Sequence, residues 1–209
     1  MARLFFLLSG EHPTLPAAEI AGACEALGRR IGVLETFDQV VVAETDADPL
    51  ALAGRLSMTW EIGLHLFTSP ASKREILDAI FSSDFLEIFH PSRTFAVTAK
   101  RVKRSAPHLQ TPELERWISS RIAEEVGFRA DLRRPEFELL LVLTGDSCVG
   151  GVRLAGVDRK QFTRRRPSKR PAFHPSTLTP VVARCMVNLA RTPPGGVLLD
   201  PFCGVGGIL

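Results

Sequence analysis

Apolar stretches of two lengths alternate along the first 69 residues, and their spacing predicts the local structure. Arg3 to Ser9 (RLFFLLS) is a strand-length run closed by the breaker Gly10 to Pro13. Thr14 is placed to cap a helix with Pro16 in its first turn, running to about Leu27 with Ile20, Cys24 and Leu27 on one face. Two segments rich in β-branched residues follow, Ile31 to Thr36 and Gln39 to Thr45, and they predict a hairpin turning near Phe37 and Asp38. Asp48 caps a second helix from Pro49 to about Leu56, and Trp60 to Thr68 alternates as a fourth strand. The order β-α-β-β-α-β closes most simply as a four-stranded antiparallel sheet with both helices on one face. We therefore expect a ferredoxin-like domain over residues 1–69.

A second α+β unit is expected over residues 70–156. Ser72 and Glu75 have capping-box spacing for a helix from Lys73 to about Asp84. Thr94 to Arg101 reads as a strand, and a long helix begins at Thr111 or Pro112 and runs to Val126 with Leu114, Trp117, Ile118 and Ile122 on its apolar stripe. Phe137 to Thr144 and Cys148 to Leu154 then form a hairpin across Gly145 and Asp146, its first strand apolar enough to be central. Periodicity is lost over residues 157–172, where Arg, Lys, Pro and Ser dominate. Repulsion within Arg164, Arg165 and Arg166 predicts an extended linker. Beyond it, Thr177 or Thr179 is placed to cap a helix with Val182, Met186 and Leu189 on one face, ending before Pro193 to Gly196. Val197 to Leu199 then reads as a strand, Asp200 to Gly207 as a tight loop, and Ile208 as the start of another helix.

Charge adds a direction to this outline. Net charge is only +3, but residues 100–170 hold 17 basic and 9 acidic side chains, a local net of +8. A polyanion would meet the middle of the chain, and the expected contacts are Lys100, Arg101, Lys103, Arg104, Arg164, Arg165, Arg166, Lys169 and Arg170. The four cysteines are far apart and form no C-x-x-C pair, so neither a metal knuckle nor a disulfide framework is expected. No apolar run reaches the ~18 residues that cross a bilayer, and the N-terminus lacks a basic n-region, so a cytoplasmic protein without membrane contact is expected.

The glycines of the last loop remove side chains where backbone must approach a ligand, and a helix opening behind them would present free N–H groups. Asp200-Pro201-Phe202-Cys203-Gly204-Val205-Gly206-Gly207 resembles the first cofactor motif of amino-group methyltransferases that use S-adenosylmethionine. Upstream, Ser168-Lys169-Arg170-Pro171-Ala172-Phe173-His174-Pro175, followed by Leu178, Pro180, Ala183, Arg184 and Val187-Asn188-Leu189, is similar to the segment preceding that motif in archaeal and eukaryotic tRNA guanosine-10 N2-methyltransferases. The resemblance implies a ferredoxin-like domain and a THUMP RNA-binding domain, then, over residues 173–209, the first helix and strand of a Rossmann-like methyltransferase domain. It also implies tRNA as partner, S-adenosylmethionine as cofactor, and Phe173, His174, Asp200, Pro201, Phe202, Gly204, Gly206 and Gly207 as its contacts.

The same family places its catalytic motif, Asp or Asn followed by Pro-Pro and an aromatic residue, well downstream of the first motif. No such motif occurs in this sequence, and Thr192-Pro193-Pro194-Gly195 reads as a turn. The expectation is a truncated tRNA guanine-N2 methyltransferase with an incomplete cofactor site, no catalytic residue and no metal site. The alternative is a stand-alone THUMP-type RNA-binding module.

Overall fold

The computed structural model describes residues 1–88, 94–127, 129–169, 174 and 177–208. The elements are β1 Ala2–Leu8, α1 Leu15–Ala26, β2 Ile31–Phe37, β3 Val40–Thr45, α2 Pro49–Arg55, β4 Thr59–Pro70, α3 Lys73–Ser82, α4 Phe85–Ile88, β5 Thr94–Arg101, α5 Thr111–Val126, β6 Arg129–Ala130, β7 Phe137–Thr144, β8 Ser147–Gly156, α6 Lys160–Arg164 and α7 Pro180–Leu189, with a 3-10 turn over Pro167–Lys169 between the last two.

Side chains set several of these boundaries as expected. Asp48 accepts from Ala51 N at 2.8 Å, and Ser72 Oγ accepts from Glu75 N at 3.3 Å; the reciprocal half of the expected box is replaced, since Ser72 N donates to the Pro70 carbonyl and the Glu75 carboxylate accepts from Ser72 Oγ at 3.0 Å. Thr14 does not cap α1 with its side chain. Instead His12 Nδ1 accepts from the amides of Thr14 and Leu15, both at 3.2 Å, so the preceding loop supplies the cap.

The α+β class holds, but the two units share one sheet. Eight strands run in the order β2-β3-β1-β4-β8-β7-β5-β6, parallel only where β5 meets β6 and β7. The first four have the expected ferredoxin-like order. The seam is β4: at 12 residues it is longer than expected, and it pairs with β1 on one side and β8 on the other. The backbones approach closely there, and a Cβ on Gly151 would lie 1.8 Å from the Leu64 carbonyl oxygen.

The helices lie on one face of this sheet. α1 and α2 bury Ile20, Cys24, Leu52 and Leu56 against Leu4, Phe6, Val41 and Ile62. α3 and α5 bury Ile76, Ile80, Leu114, Ile118 and Ile122 against Phe95, Val97, Leu139 and Leu141. The opposite face carries no helix among the described residues, yet Phe5, Leu7, Val40 and Val42 from one half form a single buried cluster with Val102, Leu140, Val142 and Val149 from the other. Strands three places apart in the sheet meet because the sheet curls. Thr144 Oγ1 donates to the Asp38 carbonyl at 2.8 Å and Lys103 pairs with the Asp38 carboxylate at 2.8 Å, closing the curl at its rim.

Two expectations for the C-terminal part are corrected. The basic segment is not an extended linker: α6 buries Phe162, and Arg159 stacks over the Trp60 ring at 4.1 Å while pairing with Glu11. Apolar and cation–π contacts to the first unit outweigh local charge repulsion. Val197 to Leu199 is not a strand, because no partner strand is beside it among the described residues. Val197 is 95% and Leu199 82% exposed.

Candidate functional site

α7 leads into the glycine loop, and a polar joint fixes it to the first unit. Thr179 caps it by accepting from Val182 N at 3.4 Å. The docked face is not the expected Val182, Met186 and Leu189 stripe. It contains Pro180, Ala183, Cys185 and Asn188, while Met186 is exposed. At the centre is Glu19 of α1, fully buried. Its Oε1 accepts from Ser57 Oγ at 2.7 Å, Ser57 N at 3.0 Å and Asn188 Nδ2 at 2.9 Å, and its Oε2 accepts from Met58 N at 2.8 Å. A carboxylate without solvent needs such donors on both oxygens. Asn188 Nδ2 also donates to the Arg55 carbonyl at 3.0 Å.

The helices approach so closely that a Cβ on Gly22 would lie 2.4 Å from the Asn188 carbonyl oxygen. Around this centre Arg55 donates to the Thr192 carbonyl, Arg191 pairs with Glu25, and Arg184 donates to the Gly54 carbonyl at 3.4 Å. Burial, then the charge of Arg184, lowers the pKa of Arg55. Burial, then Arg165, lowers that of Arg184, against the opposing pull of Glu19.

The glycine loop begins at Asp200, whose Oδ1 accepts from Phe202 N at 3.0 Å. Gly204 and Gly206 have φ of +54° and +71°, backbone that glycine adopts without strain, and Gly206 N donates to the Cys203 carbonyl at 2.8 Å. His174 is held nearby, its carbonyl accepting from Thr177 N at 2.9 Å and its amide donating to Thr177 Oγ1 at 3.3 Å. Of the expected cofactor contacts, His174, Asp200, Phe202, Gly204 and Gly207 line one cavity of about 370 Å³. Pro201 lines a neighbouring apolar cavity of about 220 Å³ with Met186, Val187, Ala190, Leu198 and Leu199. Gly206 shapes the loop without lining either. Phe202 is 92% exposed. Phe173 lies outside the described residues.

The expected polyanion contacts divide into two groups. Lys100 pairs with Glu61, which also binds Arg153 at 2.7 Å. Arg101 donates to the carbonyls of Ser105, Ala106 and Leu109, and Lys103 holds Asp38. Arg165 folds back on Gln161 and Phe162. Arg104, Arg164, Arg166 and Lys169 are exposed and have no ion-pair partner among the described residues. Arg170 lies outside the described residues.

Sequence reasoning missed Glu19 and Gly22. Both sit in a helix that is small and apolar nearly all round, with no polar face to set them apart, and the hint was an acid among its small residues, LPAAEIAGACEA. It also missed the Trp60–Arg159 stack, since 99 positions separate the two residues. Among the described residues no group of three or more His, Cys, Asp or Glu side chains could hold a metal ion, and no helix is long and apolar enough to cross a membrane.

Comparison with known proteins gives matches in both parts of the chain. The THUMP domain family matches residues 70–149, and the family described as RMKL-like, methyltransferase domain matches residues 167–209. The tRNA (guanine(10)-N2)-dimethyltransferase of Methanothermobacter thermautotrophicus is 34% identical over 207 residues, covering 99% of this chain and 60% of that protein. The enzyme of the same description from Pyrococcus abyssi is 32% identical over 200 residues, covering 96% of this chain and 57% of that protein. The chain thus spans about 60% of the length of these relatives. Among solved structures, TrmN from Thermus thermophilus matches with a TM-score of 0.57 and 23% identity over 99% of this chain and 60% of that one, a likeness of fold.

Proposed function

We propose that the chain belongs to the THUMP-domain tRNA guanosine N2-methyltransferases and forms the RNA-gripping part and the cofactor lip of an enzyme that methylates the exocyclic N2 of a guanosine in tRNA. One observation carries this reading. The glycine loop follows a helix locked to the N-terminal unit through Glu19, Gly22 and Asn188, so a grip on RNA and the cofactor loop belong to one frame.

The loop fits S-adenosylmethionine as the cofactor. A cavity of about 370 Å³ is within the range of about 300–1,000 Å³ typical of small-molecule sites. Asp200 is half-engaged by the Phe202 amide, leaving its Oδ2 for the amino group of the methionine moiety. Gly204, Gly206 and Gly207 admit the ligand beside their backbone, while His174 packs on the cavity wall and Phe202 offers an exposed ring. The bound cofactor would supply an electrophilic methyl group. Arg104, Arg164, Arg166 and Lys169 hold the RNA by its phosphates. We assign no catalytic residue among those described. Orienting the weakly nucleophilic guanine amine, and accepting its developing positive charge, needs a carboxylate or amide beside the extruded base.

The RNA half of the reading is tested by titrating the chain with a tRNA transcript at several salt concentrations. Replacing Arg164, Arg165 and Arg166 with Ala removes the phosphate contacts of Arg164 and Arg166 and should lower the slope of log K against log salt by about 1.4 to 1.8. An unchanged slope would show that the run makes no contact with RNA.

A further inference from the structure

A cavity of about 750 Å³ lies between β4, α6 and the start of α7, and it shares Thr177 of its wall with the glycine-loop cavity. Its lining combines an aromatic ring, unpaired cations and hydroxyl groups. Trp60 is 44% exposed, and the Arg159 guanidinium lies 4.1 Å from its ring centroid, so the cation covers one face of the indole while part of the side chain stays open to solvent. Glu11 is the acid of the lining, and it is already paired with Arg159. Lys160 and Arg166 are exposed and have no ion-pair partner among the described residues, and Thr163 and Thr177 add hydroxyls. The cavity therefore presents net positive charge around a planar apolar surface.

We propose that this cavity seats an unpaired nucleotide of the bound RNA, its base against Trp60 and its phosphates on Lys160 and Arg166. The proposal rests on the reading of the chain as an RNA binder and names where a single-stranded part of that RNA goes. A duplex offers its phosphates but hides its base faces, whereas an unpaired nucleotide offers both, and unstacked bases settle on aromatic rings and guanidinium planes. An acidic peptide would satisfy the cations but would leave the indole surface without a planar partner.

The chain contains two tryptophans, so Trp117→Phe makes Trp60 the sole indole emitter. That variant is titrated with a tRNA transcript, a single-stranded decaribonucleotide, the same oligomer with abasic sugars, and a blunt RNA duplex. The expected result is quenching of Trp60 by the tRNA and the single strand, with none from the abasic oligomer or the duplex. Trp60→Leu, which keeps an apolar contact for Arg159, should weaken single-strand binding about tenfold. Lys160→Ala with Arg166→Ala should weaken the abasic oligomer as well, and circular dichroism verifies that each variant is folded. Retained tRNA binding with unchanged emission, and with affinity insensitive to Trp60→Leu, overturns the cavity assignment while leaving the RNA-binding reading intact. Absence of tRNA binding at low salt overturns both.

Discussion

Substituting Ala for Gly22 tests the joint that carries α7. The added Cβ would lie 2.4 Å from the Asn188 carbonyl oxygen and 3.2 Å from Leu189 Cα, where ordinary contact begins near 3.4 Å. The obstructing atoms are backbone, so no rotamer change relieves them, and α7 must retreat by about 1 Å. A retreat of that size carries Asn188 Nδ2 from 2.9 Å to nearly 4 Å from Glu19 Oε1, beyond hydrogen-bond range.

Losing a bond to a buried carboxylate costs about 1.5–3 kcal/mol, and overpacking alone costs about 1–3 kcal/mol. These describe one displacement and are not summed. Better helix propensity returns about 1 kcal/mol. The net expectation is about 0.5–2 kcal/mol against docking, a roughly two- to thirtyfold rise in amide exchange within residues 183–190 with little change in the sheet. Gly54→Ala in α2 is the control, since nothing lies within 4 Å of its added Cβ. It should stabilise by helix propensity alone. Unchanged α7 protection in Gly22→Ala, or a melting temperature raised as in the control, would refute the close crossing.

Two further outcomes follow from single groups. Asp200→Ala should abolish chemical-shift changes that S-adenosylmethionine produces in residues 174–208; persistence of those changes would remove Asp200 from the cofactor contacts. His65 is buried, its Nε2 3.0 Å from Thr68 Oγ1 and its Nδ1 without a partner among the described residues, and burial lowers its pKa below 6.5 against the opposing pull of Glu35. As pH falls through 6.5 the unfolded chain takes up a proton that the folded chain refuses, so stability falls until the folded pKa is reached. His65→Gln should therefore flatten the decline in melting temperature between about pH 7.5 and 5.5, and parallel curves would show that His65 titrates alike in both states.

What could be read from the sequence was local. The Asp48 cap, the Ser72 cap and both hairpins depend on residues within a few positions of one another, and all are present. The cap from His12 escaped because its ring competes with Thr14, the residue usually favoured at that position. The β4–β8 pairing joins Glu61 to Gly156, and no periodicity reports a contact over that separation. Charge counting overestimated the free cations of residues 100–104, since Glu61, Asp38 and three carbonyls engage Lys100, Lys103 and Arg101. The turn at Gly204 and Gly206 was legible because its conformation is backbone chemistry, written as glycines in a short run.

The joint explains why a polar pair occupies the place where two apolar residues would suffice for packing. An apolar contact between α1 and α7 would tolerate a slide along the helix axis, because one methyl group serves about as well as the next. Glu19 does not tolerate it. A slide of one helical turn, about 5.4 Å, would take Asn188 away from the carboxylate and leave Oε1 only the Ser57 donors. Leaving one partner of a buried charged bond unpaired costs about 1–3 kcal/mol or more, a penalty that grows while Gly22 is held against the Asn188 backbone. Register is therefore fixed by a bond that exists in one position only. The Cα of Asn188 is followed twelve residues later by Asp200, with the exit anchored in between by Arg55 to Thr192 and Arg191 to Glu25. Under the proposed function, the distance from the RNA grip to the cofactor lip is set by this joint, through a carboxylate that touches neither ligand.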